Sequence, residues 1–356
     1  MISIIKINQY KEWDSFIKDF PDYDVYYLNG YVRAFQIHGD GSPILICFSD
    51  GEYKAACVMM KRDVADDPIF KDSDLPRYQY YDLITPYGYG GLIFNSPNIP
   101  NSVVNTCNQE ILAYLNNHNY ISAFFRFHPV LHTVNFHVQN TEIVHLGKTI
   151  AIELESEDQI WQAITSKNRN MIRKAEKYGV QIKHGKGIDL LMQFKEIYNE
   201  TMRHDNADEY YYFNDAFYKS IDHDLSDNYE VFYADFQGEI ISMAIIIFAS
   251  NRLNYHLSGS KYEFRYLAPS NLLLYKVALW GYERGYKTFH LGGGVGSSED
   301  SLYKFKSAFN RFSDYQFSIG KMIVNPILYK ELLRLRGIDD ETTLSKIHFF
   351  PQYRAK

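Results

Sequence analysis

The sequence is poor in cysteine and lacks a long apolar run. Its 356 residues include only three cysteines, Cys47, Cys57 and Cys107, and their spacing fits neither a metal-ligand motif nor a redox pair. We therefore predict buried free thiols, no metal site and a reducing, cytoplasmic location. No segment approaches the roughly 18 apolar residues of a membrane-spanning helix, and the N-terminus lacks the apolar core of a signal peptide, so no stable membrane insertion is predicted.

Net positive charge and a nucleophile motif are also missing. The formal net charge is −6, which excludes a general attraction for nucleic acid or an anionic membrane, so any polyanion would have to bind to a local patch. The sequence contains no Gly-x-Ser-x-Gly motif and no convincing cysteine nucleophile. That absence suits direct attack of an amine on an activated carbonyl, which needs positioning and oxyanion stabilisation more than a covalent intermediate.

Aromatic residues, in contrast, are abundant. The chain has 31 Tyr and 24 Phe, in an otherwise ordinary composition of 46% hydrophobic and 22% charged residues. Tyrosine joins an apolar ring to a polar tip, which suits extended pockets for large polar ligands. A tyrosine-rich core is the alternative interpretation, with equal weight.

The order of predicted elements indicates two similar halves. A chain of this length fits two domains better than one. Hairpin signals at Asp50-Gly51-Glu52 and Gln237-Gly238-Glu239 are each followed by a helix and an aromatic-rich strand. We predict an α/β fold with mixed sheets, a first domain over residues 1–150, a second over 151–330 that carries the transfer site, and a C-terminal extension over 331–356.

Two segments of the second half predict a ligand-binding loop and an anion site. Arg265, Ala268 and Ser270 directly precede a predicted helix over Asn271–Arg284, and a helix N-terminus attracts anions; an ordinary helix start capped by Ser270 is the alternative. Glycine occupies four of five positions in a run after the strand that ends at Leu291, where a bare turn needs only one or two. This run has the sequence Gly292-Gly293-Gly294-Val295-Gly296.

Lysines and arginines form two further candidate groups. In the helical pattern Asp300–Phe309, Leu302, Phe305 and Phe309 share a core face, whereas Lys306 points elsewhere and is either an oxyanion-stabilising group or a solvated lysine. A predicted helix over Trp161–Tyr178 carries a basic stripe that could bind phosphates or could simply face solvent. The segment holds five cations, Lys167, Arg169, Arg173, Lys174 and Lys177, of which Arg169, Arg173 and Lys177 form one stripe at a spacing of four residues.

Several motifs in the same order resemble the FemAB-like branch of the GNAT acyltransferase superfamily. The resemblance covers about residues 25–330 and includes the basic stripe and the segment Asp300–Phe309. The remaining motifs are Thr85-Pro86-Tyr87-Gly88-Tyr89-Gly90-Gly91, Arg126-Phe127-His128-Pro129, Tyr255-His256-Leu257-Ser258-Gly259-Ser260 and His290-Leu291-Gly292-Gly293-Gly294.

The resemblance implies a tandem pair of GNAT-like domains that moves an amino acid or acyl group onto an amine of a nucleotide- or lipid-linked cell-envelope precursor. Lys306 matches the functional lysine of the family's Phe-Lys motif. Asp82 or His256 is the expected proton acceptor. The residues expected to contact the acceptor are Arg203, Tyr211, Tyr87, Tyr89 and Arg126.

Two departures from the family pattern bear on the substrates. The helical arm of Fem enzymes is missing between Lys186 and Asp215, which puts the peptidoglycan precursor in doubt. The coenzyme-A loop survives only as Arg265-Tyr-Leu-Ala268-Pro-Ser270, without its glycines. We therefore favour aminoacyl-tRNA over acyl-CoA as the cosubstrate, with no bound cofactor. The alternatives are an acetyl-CoA-dependent amino-sugar N-acetyltransferase of polysaccharide biosynthesis and a non-catalytic glycan or RNA binder, and the oligomeric state is not predicted.

Overall fold

The structure, a computed structural model, describes residues 1–355 and divides the chain into two compact units. Unit 1 comprises Met1–Leu146 together with the segment from Phe317 onwards, and unit 2 comprises Gly147–Gln316. The expected boundary near residue 150 lies close to the first crossing between the units. Residues 317–330, expected in the second domain, group instead with unit 1.

Unit 1 is built on a mixed sheet with the strand order β1-β2-β3-β4-β6, in which β4 and β6 are parallel and the other neighbours antiparallel. The short strand β5 pairs with β3. Alternate residues Ile44, Ile46 and Phe48 of β2 enter a core that α3 closes with Cys107 and Ile111. The elements are β1 (Ile2–Lys6), α1 (Tyr10–Lys18), α2 (Asn29–His38), β2 (Ser42–Ser49), β3 (Lys54–Asp63), β4 (Tyr81–Ile84), β5 (Ile93–Phe94), α3 (Asn101–Asn117) and β6 (Tyr120–Arg126).

Unit 2 is a second mixed sheet, with the order β7-β12-β11-β10-β9-β8. The hairpin between β9 and β10 turns at Gln237 and Gly238, both at positive φ, as a tight hairpin turn requires. The elements are β7 (Glu142–Glu153), α4 (Glu157–Ala163), α5 (Ser166–Lys177), β8 (Gln181–Gly185), α6 (Ile188–His204), α7 (Asp215–Asp224), β9 (Tyr229–Phe236), β10 (Glu239–Ala249), β11 (Arg252–Ser260), α8 (Pro269–Glu283), β12 (Thr288–Gly292) and α9 (Ser301–Ser307).

The last elements return the chain to unit 1. Strand β13 (Tyr315–Ile323) pairs antiparallel with β6, and α10 (Pro326–Leu335) and α11 (Glu341–Ser345) follow it. Tyr329 of α10 packs against Phe350 and Tyr353 from the end of the chain. The C-terminal segment is therefore part of the core of unit 1.

Helix lengths bear on two predictions. Within residues 1–355 the longest helices, α3 and α6, have 17 residues, so the coiled-coil arm is missing from the described chain as predicted. No helix in that range is both long and apolar enough to cross a membrane.

Candidate functional site

Lys306 is the buried residue of α9. Its side chain is only 9% exposed, and its Nζ donates a 2.8 Å hydrogen bond to the carbonyl oxygen of Gly293. The alternative of a solvated lysine is therefore wrong for Lys306, although it holds for Lys304 two positions earlier, which is exposed. The prediction that Leu302 and Phe309 face the core is correct for Phe309, which is fully buried, but wrong for Leu302, which is 37% exposed.

Electrostatics around Lys306 tune its proton affinity. Burial lowers the pKa of Lys306 to about 8, and the nearby Asp300 carboxylate opposes that shift. The Nζ atom also lies 5.9 Å from the centre of the Tyr255 ring. Near neutral pH most molecules hold an ammonium ion in a site of low polarity, where a charge interacts more strongly with a developing oxyanion than it does in water.

The glycine run is shaped by close packing rather than by flexibility. A Cβ atom at Gly294 would overlap the carbonyl oxygen of Ser298 and the carboxylate of Asp300. Asp300 in turn accepts hydrogen bonds from the backbone N–H of Val295, at 3.1 Å, and of Tyr303, at 2.8 Å. Glycine at 294 thus lets the loop lie against the start of α9, which helps to keep the Gly293 carbonyl at Lys306.

Parallel strands β11 and β12 separate next to this loop. They pair only where Arg252–Asn254 faces Thr288–His290, although β11 continues to Ser260 and β12 to Gly292. Tyr255 and His256 lie on the part of β11 beyond those pairs. A gap between parallel strands can take up an extended ligand, because backbone N–H and C=O groups are strong hydrogen-bonding partners.

His256 does not have the properties of a general base. Its side chain is partly buried, and burial lowers its pKa to about 3. A group with so low a pKa is neutral at pH 7 but holds a proton weakly, which makes it a poor acceptor from an attacking amine.

The start of α8 differs from the predicted one. The helix begins at Pro269, after Ala268 in the left-handed conformation at φ 54°, because proline suits the first helical position. Ser270 is not the cap: its hydroxyl lies 2.9 Å from that of Ser260 and 3.1 Å from that of Ser242. Arg265 remains exposed beside this helix start, with its guanidinium 4.6 Å from the Tyr262 ring centre.

Asn168 connects the helices around the site, and the sequence interpretation missed it. Its side-chain oxygen accepts a 2.6 Å hydrogen bond from Asn271 of α8, and its amide nitrogen donates to the Ala308 carbonyl at 3.3 Å. The residue is 3% exposed. Its only sequence signal is an uncharged position inside a run of cations, which does not reveal partners more than one hundred residues away.

The basic stripe lies on a shorter helix than predicted. The expected helix over Trp161–Tyr178 is broken between α4 and α5, because Thr165 is extended and its hydroxyl caps α5. Arg169 donates to the carbonyl oxygens of Trp161 and Ile164 at 3.2 and 3.0 Å, so it holds the break together and is not available as predicted. Lys167 and Arg173 are exposed, as phosphate contacts require.

Arg203 lines a cavity of about 380 Å³ between α6 and α7. An ion pair between Lys195 and Asp215, at 2.5 Å, lies at the same cavity. The side-chain oxygen of Asn199, another lining residue, is buried and has no hydrogen-bond partner among the described residues. Tyr211 lies outside this lining, in the short 3-10 helix Glu209–Tyr211, and is 36% exposed.

The other expected acceptor residues lie together in unit 1. Arg126 donates from Nε to the carbonyl oxygen of Gly88 at 2.8 Å. Gly88 lies between Tyr87 and Tyr89 in the sequence. The Arg126 guanidinium and the Tyr89 ring lie 5.2 and 5.5 Å from the Phe317 ring centre. Tyr87, Tyr89 and Arg126 are all partly exposed, and burial raises the pKa of Tyr89 to about 12.

Asp82 is part of a structural ion pair rather than a base. Its fully buried carboxylate accepts from Arg62 at 2.7 Å, from Arg354 at 2.5 Å and from the Tyr353 hydroxyl at 2.9 Å. Two guanidinium partners stabilise the charged form and occupy the oxygens that a base would need. We therefore do not retain Asp82 as a proton acceptor.

Comparisons with known proteins identify the fold. No curated protein matches the chain at a significant level. A solved structure of FemX has a TM-score of 0.66 at 15% identity, with 93% of this chain and 99% of that chain covered. The C-terminal domain of a putative lysylphosphatidylglycerol synthetase from Agrobacterium fabrum has a TM-score of 0.55 at 11% identity, with 93% and 97% covered. A conserved protein of unknown function from Bacteroides thetaiotaomicron VPI-5482 has a TM-score of 0.55 at 9% identity, with 90% of this chain and 100% of that chain covered.

These likenesses confirm the predicted fold class, a mixed α/β chain of the Fem type without the coiled-coil arm. A family model described as acetyltransferase (GNAT) domain matches residues 165–307. That range contains the start of α8, the glycine run and Lys306. Residues 165–307 therefore resemble an acetyltransferase (GNAT) domain, in a chain that has the fold of FemX.

Proposed function

We propose that this protein transfers an acyl or aminoacyl group to an amine on a nucleotide- or lipid-linked precursor of peptidoglycan or a surface polysaccharide. The observation that carries the proposal is the buried ammonium of Lys306, 2.8 Å from the Gly293 carbonyl and beside the gap between β11 and β12. A protein that only binds a glycan or RNA gains nothing from burying a charge at such a position, because the burial costs stability.

The reaction needs no covalent enzyme intermediate. The acceptor amine attacks the carbonyl carbon of a thioester or aminoacyl ester, and the carbonyl oxygen becomes an oxyanion. Lys306 stabilises that oxyanion by charge. Collapse of the intermediate forms the amide, releases the thiol or ribose hydroxyl of the donor, and transfers the amine proton to the leaving oxygen or sulfur, directly or through water.

Two surfaces have the chemistry of an acceptor site. In unit 1, Arg126 binds the backbone at Gly88, between Tyr87 and Tyr89 in the sequence, and a cation near tyrosines suits a sugar or base next to a phosphate. In unit 2, the cavity is lined by the cations Arg203 and Lys195 and by the carboxylates Glu196 and Asp215. Both surfaces match a nucleotide-linked ligand, which presents phosphates together with hydrogen-bond donors.

We favour aminoacyl-tRNA as the donor, because Ala268 is buried in the left-handed conformation where the coenzyme-A loop of the superfamily has glycine. Acetyl-CoA transfer to an amino sugar is the second candidate. One observation favours it: α8 begins without a side-chain cap, which leaves the backbone N–H of Ser270 for an anion such as a pyrophosphate, since Pro269 has no N–H and that of Asn271 donates to the Ala268 carbonyl.

The central test replaces Lys306. We expect Lys306→Ala to lower turnover on the order of 100-fold with little change in KM, as for other lost oxyanion donors. Lys304→Ala is the matched control, because it removes an exposed lysine of the same helix. Product formation from charged tRNA or acetyl-CoA and nucleotide-linked amino sugars is followed by mass spectrometry. Unchanged turnover in Lys306→Ala would contradict the role of this lysine.

A charge-reversal experiment tests the donor. If tRNA is the donor, Lys167→Glu/Arg173→Glu should raise the KM for charged tRNA about tenfold or more at low salt, because two phosphate contacts become repulsive. Arg169 is left intact, since its reversal would also disrupt the break between α4 and α5. Lys330→Glu/Arg334→Glu on the exposed face of α10 is the control. A full effect of the control pair would show that only net charge matters.

A further inference from the structure

The first turn of α8 adjoins a group of exposed aromatic rings, Tyr178, Tyr262 and Tyr266, here called the tyrosine patch. These side chains are 52%, 59% and 56% exposed. The rings of Tyr178 and Tyr266 meet edge to face, with centroids 6.5 Å apart. The 3-10 helix Tyr262–Leu267 carries two of the three and leads directly into α8.

The core does not require these rings. The same 3-10 helix is anchored by Leu267, which is fully buried, and by Phe264, which packs edge to face on Phe236. Exposing three large rings at one place has an apolar hydration cost that a surface loop of polar residues would avoid. The patch is thus available for a ligand.

Cations flank the rings. The Arg265 guanidinium lies 4.6 Å from the Tyr262 ring centre, and the Lys174 Nζ lies 5.9 Å from that of Tyr178. The His204 ring stacks on Tyr262 at 4.6 Å. Three carboxylates are near: Glu263 is exposed on the 3-10 helix, Glu176 on α5 pairs with Lys276 at 3.2 Å, and Asp205 lies 3.1 Å from Nδ1 of His204.

Rings interleaved with cations fit single-stranded nucleic acid, whose bases stack while its phosphates meet the cations. One adenosine phosphate would occupy one ring, whereas three exposed rings with separate cations provide for several consecutive nucleotides. We propose that the tyrosine patch binds the single-stranded 3′ end of charged tRNA. This inference rests on the proposed function and names the surface that presents its donor.

The patch and Lys306 belong to one packed assembly within unit 2. Asn271 in the first turn of α8 is bonded to Asn168, which is bonded to the carbonyl of Ala308, two positions after Lys306. A strand that ends at the start of α8 therefore ends beside a helix that is bonded, through Asn168, to the segment that follows Lys306. The net charge of −6 does not oppose this, because Arg265 and Lys174 lie at the rings themselves.

Binding of a labelled single-stranded RNA of about eight nucleotides that ends in CCA tests the proposal by fluorescence anisotropy. In the full chain, Tyr262→Ala and Tyr266→Ala should each weaken binding about tenfold, whereas Tyr266→Phe keeps the stacking face and stays within about twofold. Arg265→Gln should reduce the slope of log affinity against log salt by about 0.7. Tyr10→Ala is the control, because it removes an exposed tyrosine with a lysine over its ring in unit 1.

Three results would overturn the proposal: no binding by the wild type, equal loss in Tyr10→Ala, or a patch whose variants lose affinity for coenzyme A but not for RNA. The proposed function fails separately. A wild type that does not bind the RNA but shows Lys306-dependent transfer from an acyl thioester refutes the patch alone. A wild type that binds the RNA through the patch but shows no Lys306-dependent transfer refutes the transferase proposal alone.

Discussion

At the scale of the residue, Lys306 combines two properties that oppose each other. Its ammonium is desolvated, which disfavours the charged form, yet Asp300 and the Gly293 carbonyl favour that form. The outcome is a lysine whose pKa of about 8 lies close to the working pH of most enzymes. A group in this state either donates to an oxyanion or gives up its proton after a small change in surroundings.

The same residue should lower stability. Below pH 8 the folded chain holds the buried Lys306 ammonium, and the free-energy cost of burying that charge is present in full. Between pH 8 and about 10.4 the unfolded chain binds a proton that the folded chain does not, so the free energy of unfolding rises with pH across that window. Lys306→Met removes the charge and should raise the free energy of unfolding at pH 7, on the order of 2 kcal/mol.

Chemical denaturation of the wild type and of Lys306→Met at pH 7 and pH 10 measures the effect. The difference between the two proteins should shrink at pH 10, where the wild type no longer buries a charge. Lys304→Met, at an exposed site, should show no such pH dependence. A Lys306→Met protein less stable than the wild type at both pH values would contradict this account.

At the scale of the element, the loop between β12 and α9 acts as a fitted support for Lys306. Asp300 joins both sides of it, because one carboxylate caps α9 and accepts from the Val295 N–H. Its glycines are not equivalent. Gly294 is crowded by backbone, Gly293 would place a Cβ at 3.1 Å from the Lys148 carbonyl oxygen, and Gly296 faces open space at φ 59°.

We expect Gly294→Ala to lower kcat about tenfold or more while the protein remains folded, because the Cβ would push the loop away from α9 and shift the partner of Lys306. Gly238→Ala is the control: it lies at positive φ in open space in the turn between β9 and β10, so it costs about 1 kcal/mol of stability without touching the site. Steady-state kinetics and thermal unfolding distinguish the two. Equal kcat values for Gly294→Ala and the wild type would show that the fit of this loop is irrelevant to transfer.

At the scale of the whole molecule, the C-terminal segment completes unit 1. Arg354 contacts the carboxylates of Asp82 and Asp67 at 2.5 and 2.7 Å and the Asp63 carbonyl at 3.0 Å. Arg336 donates to the carbonyl oxygens of Tyr353 and Ala355. Residues at the far end of the chain thus neutralise a charge buried in the first sheet.

Arg354→Ala should destabilise unit 1 by about 3–5 kcal/mol, because it leaves the buried Asp82 with one guanidinium instead of two. Hydrogen exchange should accelerate in β3 and β4 and stay unchanged in β9 and β10 of unit 2. Lys330→Ala, at an exposed site of α10, is the control. Uniform acceleration of hydrogen exchange in both units would contradict a local stabilising role of Arg354.

Features that depend on neighbouring residues were determined by the sequence itself. The turn at Gln237-Gly238 was predicted from the pair alone, since two positive φ angles in succession favour glycine there. The helix after Asp300 was predicted from its apolar spacing, and the structure confirms it with a side-chain cap. The repeated order of hairpins and helices predicted an α/β chain of two similar halves, whereas the tandem GNAT-like arrangement was implied by the resemblance to the FemAB-like branch.

Only the tertiary structure decided which polar groups are buried and what they contact. The helical pattern of α9 could not show that Lys306 rather than Leu302 is covered, since that depends on the glycine loop packed on it. Asp82 looked like a base until Arg354, 272 positions later, was found on its carboxylate. Such partners are set by long-range packing, whereas spacing along the chain records only what lies within a few turns.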